Sequence, residues 1–136
     1  MITSKVTYSG QLRTSAEHIR SGSIVITDAP VDNNGKGQAF SPTDTVATGL
    51  ASCMMTMMGI RAEKENRDLT GMTAEVTNIM AADPRRINKI IIKLDIPAKD
   101  LKEKDFRVLE KIACTCPVAY SLHPDIEQDL TFSFYD

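Results

Sequence analysis

The sequence predicts an α+β fold in which strand hairpins, rather than parallel strand–helix–strand units, accompany one long apolar helix. Three observations predict it. Polar and apolar residues alternate at the start of the chain and again towards its end. Between them, an uncharged run of 15 residues from Val46 to Ile60 follows a helix-start signature. The strands come mostly as hairpins instead of alternating one by one with helices, as a doubly wound sheet would need. The predicted order is β-β-β-α-β-β-α-α-β.

Val6 and Tyr8 alternate with Lys5, Thr7 and Ser9, and Leu12, Thr14 and Ala16 alternate with Gln11, Arg13 and Ser15. RSGS turns the chain into IVIT, which gives two or three antiparallel strands. DAPVDNNGKGQAF is a loop by its content of turn residues. In SPTD, Ser41 suits a helix N-cap, Pro42 the first helical position, and Asp44 the place from which a side chain reaches back to the cap. The helix should run to about Asn66. Its middle is apolar on every side, relieved only by glycines and small hydroxyl residues, so burial all round is expected. Thr45, Gly49, Ser52, Thr56 and Gly59 fall at spacings of three and four and mark a stripe where a second helix could approach. One chain of 136 residues would struggle to cover such a helix, and a homodimer is expected.

GMTAEVTNIMAADPRRINKIIIKLDIP has the pattern of a hairpin turning at ADPR, with Ile90, Ile92, Leu94 and Ile96 on one face. Asp100 with Glu103 repeats a capping signature, and Leu101, Asp105, Val108, Leu109 and Ile112 place a mostly apolar face on a second helix. Pro117 ends that helix and starts a short helical turn up to Leu122. Leu130, Phe132 and Phe134 then alternate along a closing strand.

No repeat or linker divides the chain, so residues 1–136 are expected to form a single domain. The formal charge is −2 with both signs interspersed, which argues against a nucleic-acid partner. The uncharged run is shorter than the roughly 18 residues that cross a bilayer. MITSKVTYSG lacks the apolar segment of a signal peptide, and a cytoplasmic location is expected. Three cysteines are an odd number and too few for a disulfide framework. They should be reduced at rest, so a disulfide would be transient and chemical.

Cys53 lies 12 residues past Ser41, beyond the reach of the helix dipole. It is either a buried structural cysteine or a reactive one that needs a cation from elsewhere in the fold. Cys116, directly before Pro117, occupies an N-cap where free N–H groups either stabilise a thiolate or are simply capped. Cys114 and Cys116 in CTC could suggest a metal pair, but only His18 and His123 could complement it, and both suit surface roles. No metal is expected. The methionines at 54, 55, 57 and 58 surround Cys53 in sequence, and core packing suits them better than a ligand pocket. No flavin, haem or nucleotide motif appears, so no cofactor is expected.

SPTDTVATGLASCMMTMM, followed 63 residues after Cys53 by CPVAYSL, resembles the OsmC/Ohr family of osmotically induced and organic-hydroperoxide-resistance proteins. The likeness spans nearly the whole chain. It implies an OsmC-like fold: an intertwined homodimer with two long central helices and antiparallel strands wrapped around them. It also implies reduction of organic hydroperoxides, with Cys53 as the peroxidatic thiol, Cys116 as the resolving thiol and an external dithiol as reductant. Cys114 has no counterpart. The family activates its thiol with an arginine from the N-terminal strands, which Arg13 matches better than Arg20. That arginine is often held by a glutamate ten residues before the cysteine, where this chain has Thr43. Asp44 lies on the opposite helix face from Cys53 and cannot simply stand in. A non-catalytic ligand-binding member of the fold and a thiol sensor remain as alternatives.

Overall fold

The alternating start of the chain forms a three-stranded antiparallel sheet in the computed structural model, which describes residues 1–136. Its strands are β1 (Ser4–Gly10), β2 (Arg13–His18) and β3 (Ile24–Asp28), in that spatial order. Gly10, Gln11 and Leu12 all take positive φ, which reverses the chain within two residues between β1 and β2. The RSGS turn fixes the next register: Thr14 faces Thr27, Ser15 faces Ile26, and Arg13 faces Asp28. Beyond β3 a 3₁₀ turn (Val31–Asn33) folds the loop back on itself. Gly35 is required there, because a Cβ at that position would lie 1.7 Å from the Ala29 carbonyl oxygen. The loop then returns alongside β3, where Asp28 N donates to the Phe40 carbonyl at 3.0 Å.

This first compact unit, Met1–Val46, closes with the opening turn of α1 (Pro42–Lys64). The cap is the expected reciprocal one. Asp44 N donates to Ser41 Oγ at 3.0 Å, and Ser41 N donates to Asp44 Oδ2 at 3.1 Å. The helix ends two residues earlier than expected, and Asn66 turns the chain with φ of 56°.

The second unit, Ala47–Asp136, holds the rest of α1 and a second sheet. In the single chain one face of the helix is covered: Ala47, Leu50, Ala51, Met54, Met58 and Ala62 are buried, while Val46, Ser52, Thr56 and Ile60 are exposed. Sequence composition is apolar around the helix, but one chain supplies cover for only one side of it. Open space lies beside Gly49 and Gly59 on the uncovered side. Met54 and Met58 serve as core, with Met55 and Met57 packed partly buried against it. Leu50 is fully enclosed, so Leu50→Ala is expected to cost about 2–5 kcal/mol, read as a lower urea midpoint at unchanged slope.

β4 (Thr73–Ala81) and β5 (Arg86–Pro97) form the expected hairpin around residues 82–85. Ile90, Ile92, Leu94 and Ile96 are all buried on one face of β5. α2 (Glu103–Cys114) and α3 (Pro117–Ser121) follow, and β6 (Glu127–Tyr135) completes the sheet order β4-β5-β6. The element order matches the predicted one, with one pairing of different sense. β6 runs parallel to β5, from Lys89 opposite Glu127 to Pro97 opposite Tyr135. The chain thus contains one strand–helix–strand crossover, because α2 and α3 carry it back before it enters the sheet. Phe106 of α2 stacks on Phe134 of β6 at a centroid distance of 4.0 Å and pins that crossover. The α2 cap also differs. Asp105 rather than Glu103 reaches back, accepting from Lys102 N at 2.8 Å. Arg67 explains the shift, because it donates to both the Asp100 carbonyl and the Asp105 carboxylate and holds Asp100 outside the helix. No helix is long and apolar enough to cross a membrane.

Candidate functional site

Cys53 and Cys116 meet. The apolar face of α1 packs into the cluster that also holds α3, and this makes neighbours of two thiols 63 residues apart. Cys53 is half-buried and Cys116 has no exposed surface. None of the three cysteines is in a disulfide.

Cys116 is the N-cap of α3, as its place before Pro117 predicts. Its Sγ accepts from Ala119 N at 3.4 Å, and the extended conformation of residue 116 aims the sulfur along the first turn. Of the two roles its cap position leaves open, a stabilised thiolate is the one its surroundings oppose. Burial pushes the Cys116 thiol up; the Ala119 N–H counteracts it, and the neighbouring Cys53 adds to the rise. Two weak N–H contacts do not replace the water that a thiolate loses at a fully enclosed site. Cys116 therefore rests as the neutral thiol. Cys114 is the last residue of α2 and is exposed at the surface. Partial desolvation and the Glu110 carboxylate push its thiol up as well.

The first unit holds the arginine. Arg13 Nε donates to Asp28 Oδ1 at 2.7 Å and Nη2 donates to Asp28 Oδ2 at 2.9 Å, a bidentate pair. Nη2 also donates to Gln38 Oε1 at 3.3 Å, and Gln38 N donates to Asp28 Oδ2 at 3.1 Å. Asp28 is only 1% exposed, while 35% of the Arg13 side chain remains open. The hydrogen bonds from Arg13 hold the Asp28 carboxyl below the usual carboxylate range, against the opposing effect of burial. Arg20 lies exposed in the turn after β2. Thr43 Oγ1 shares a hydrogen bond with Ser41 Oγ at 3.2 Å, and Asp44 is engaged in the helix cap.

Sequence reasoning missed Asp28. The signal was present in the hairpin: once RSGS is taken as the turn, antiparallel pairing sets Asp28 opposite Arg13. Both histidines have local surface partners, His18 with Ser21 and His123 with Asp125.

Two further carboxylates share the depressed state of Asp28. Asp68 is held below its ordinary value of 3.8 chiefly by the Thr70 hydroxyl, and Asp105 by the main-chain N–H of Lys102. All three bind protons more weakly folded than unfolded, so their stabilisation is complete above the unfolded value and fades as pH falls through the folded ones. The urea midpoint is expected to be flat near neutrality and to drop below about pH 4. Asp68→Asn with Asp105→Asn should flatten that drop.

Residues 35–131 match the family model described as OsmC-like protein. No curated protein matches the chain. Among solved structures, one from Psychrobacter arcticus 273-4, provisionally named an osmotic stress induced and detoxification response protein, is 55% identical. The likeness covers 97% of this chain and 96% of that one, with a TM-score of 0.92. The organic hydroperoxide resistance protein OsmC of Legionella pneumophila is 19% identical, over 98% of both chains, at a TM-score of 0.71. An organic hydroperoxide resistance protein of Elizabethkingia anophelis is 16% identical, over 99% of this chain and 98% of that one, also at 0.71. The last two share the fold.

Proposed function

The chain belongs to the OsmC-like protein family, and from that premise we propose that it is a thiol peroxidase that reduces organic hydroperoxides through Cys53 and Cys116. The observation that carries this reading is that the two thiols are neighbours within one apolar cluster. Two relatives of the same fold are named as organic hydroperoxide resistance proteins, which supports the substrate class.

The Cys53 thiolate attacks the distal oxygen of the hydroperoxide. The O–O bond breaks, the alkoxide leaves as the alcohol after taking a proton, and Cys53 becomes a sulfenic acid. Cys116 then attacks the Cys53 sulfur. Its proton goes to the departing hydroxide, water leaves, and a Cys53–Cys116 disulfide remains. A dithiol reductant restores both thiols by two exchange steps and is itself oxidised to a disulfide. A neutral Cys116 suits the second step, since the proton it gives up is the one that makes water. In this reading Arg13 supplies the positive charge that favours the Cys53 thiolate.

The uncovered side of α1, with Val46 and Ile60 exposed and space beside Gly49 and Gly59, supports a homodimer that closes over this helix. Three free cysteines suit a reducing compartment, and the cytoplasm is the proposed location.

The test mixes reduced protein with cumene hydroperoxide and a dithiol, follows peroxide loss, and maps disulfides by mass spectrometry. Catalytic consumption with a Cys53–Cys116 bond is the expected result. Stoichiometric oxidation that no dithiol reverses would replace the enzyme with a sensor. Oxidation no faster than that of free cysteine would leave a binding protein.

A further inference from the structure

The proposed reaction leaves one thiol unused, and it lies two residues from Cys116 in CTC. We propose that Cys114 is a relay thiol: it takes the disulfide over from Cys53 and presents it at the surface for reduction. This rests on the proposed function, in which peroxide leaves a Cys53–Cys116 bond. All three sulfurs belong to the unit Ala47–Asp136.

The three thiols differ in exposure. Cys116 has no exposed surface, Cys53 is half-buried, and Cys114 is exposed. A reductant must bring its own sulfur up to one of the two bonded sulfurs, so access limits its attack. In a Cys53–Cys116 bond one sulfur is enclosed and the other sits at the margin of the same apolar cluster. Cys114 offers the open face that Cys116 lacks.

Chain geometry keeps Cys114 within reach of Cys116. Two residues span at most about 7 Å, and bridged cysteines have Cα separations of about 4.4–6.8 Å. Thr115, between them, is bent rather than extended, with φ of −117° and ψ of 24°, which shortens that span. Cys114 is the last residue of α2 and Cys116 the N-cap of α3, so neither sits in the middle of a helix. The main-chain bonds that close the end of α2 are long. Thr115 N donates to the Ile112 carbonyl at 3.3 Å, and Cys116 N to the Ala113 carbonyl at 3.4 Å. Cys116 Sγ has a similarly weak tie to Ala119 N, at 3.4 Å. Backbone and sulfur can therefore turn towards Cys114 without breaking a strong bond.

The exchange needs no external oxidant. Cys114 loses its proton to water, and its thiolate attacks the Cys116 sulfur. The Cys53–Cys116 bond breaks, a Cys114–Cys116 bond forms, and Cys53 leaves as the thiolate that the next peroxide requires. The external dithiol then attacks the exposed Cys114 sulfur and displaces Cys116, which takes up a proton. Its second thiol closes on the mixed disulfide, so Cys114 returns to a thiol and the reductant departs as its own disulfide. Partial desolvation and the Glu110 carboxylate push the Cys114 thiol up, which slows its attack. Tethering offsets this, since a thiol two residues away acts at an effective concentration of order millimolar.

Peptide mapping tests the relay. Cleavage after Lys111 leaves Cys114 and Cys116 in one tryptic peptide, and cleavage after Arg61 leaves Cys53 in another. Reduced protein is mixed with equimolar cumene hydroperoxide, quenched with acid at successive times, alkylated with N-ethylmaleimide, digested and weighed by mass spectrometry. The expected course is an early cross-linked pair of peptides that gives way to a CTC peptide two hydrogens lighter, with Cys53 alkylated. In Cys114→Ala the cross-linked pair should persist, and its reduction by ~0.1 mM dithiothreitol should be about 10-fold slower than in wild type. The exposed position allows this variant to fold. Wild-type protein that shows only the cross-linked pair, or a Cys114→Ala protein reduced as fast as wild type, would overturn the proposal. Peroxide that leaves every thiol reduced would sink the proposed function instead. Diamide, which oxidises thiols directly, then makes the Cys53–Cys116 bond, and the same time course decides the relay.

Discussion

Cys53→Ser is expected to abolish hydroperoxide reduction, leaving a rate at least about 10³-fold below wild type. The magnitude follows from the nucleophile. A serine hydroxyl ionises far above neutrality and is a poor nucleophile towards peroxide oxygen, whereas a thiolate is intrinsically strong. Cys53 is half-buried at the margin of the core cluster, so an isosteric change of sulfur to oxygen leaves the fold in place. Activity should fall with no change in the urea midpoint larger than about 1 kcal/mol, as usual for a partly exposed position. A Cys53→Ser protein that still consumes cumene hydroperoxide in a dithiol-dependent way would move the peroxidatic role to Cys116 and defeat the assignment.

Cys116→Ser produces the second large effect, and of a different kind. The first oxidation should proceed at close to the wild-type rate, because Cys53 and its surroundings remain. Turnover then stops. With no partner sulfur, the Cys53 sulfenic acid persists and excess peroxide drives it to the sulfinic acid, which dithiols do not reverse. Steady-state turnover is expected to drop about 10²-fold or more, with mass spectrometry showing one and then two added oxygens on the peptide that holds Cys53. A serine at the same site retains an oxygen that can accept from Ala119 N, and the cost of burying it, about 1–2 kcal/mol, is small enough for the protein to fold. Unchanged turnover in this variant would mean that the external dithiol attacks the sulfenic acid directly and that Cys116 resolves nothing.

Much of the architecture was legible because local chemistry and final structure agree. Ser41, Pro42 and Asp44 announce a helix start by their own hydrogen-bonding capacity, and the structure makes those bonds. Alternation from Ile90 to Ile96 needs nothing beyond the strand period to predict a buried face. Other features depend on partners remote in sequence. The apolar circumference of α1 states what the helix must hide but not what is available to hide it, and the single chain covers one face of it. The parallel sense of β6 is set by the path of α2 and α3, to which alternation of Leu130, Phe132 and Phe134 is blind. The capping position of Cys116 left a stabilised thiolate and a simple cap both open, and burial by distant residues pushes its thiol up.

The site divides in the same way. Spacing alone gives no reason for Cys53 and Cys116 to touch, and only the family resemblance brought them together on paper. A carboxylate partner for Arg13 was sought along the helix at Thr43. The carboxylate was across the hairpin, and a register count from the RSGS turn would have found it.

The sulfur that caps α3 is the same atom that the proposed chemistry joins to Cys53. A five-residue helix has few internal bonds of its own, so the tie between Ala119 N and Cys116 Sγ is a sizeable share of what fixes its first turn. Each oxidation cycle draws that sulfur towards another bond and each reduction gives it back. Reaction progress is thereby written into the tightness of a small piece of backbone, and a downstream protein sensitive to that segment could distinguish spent enzyme from fresh without touching either thiol.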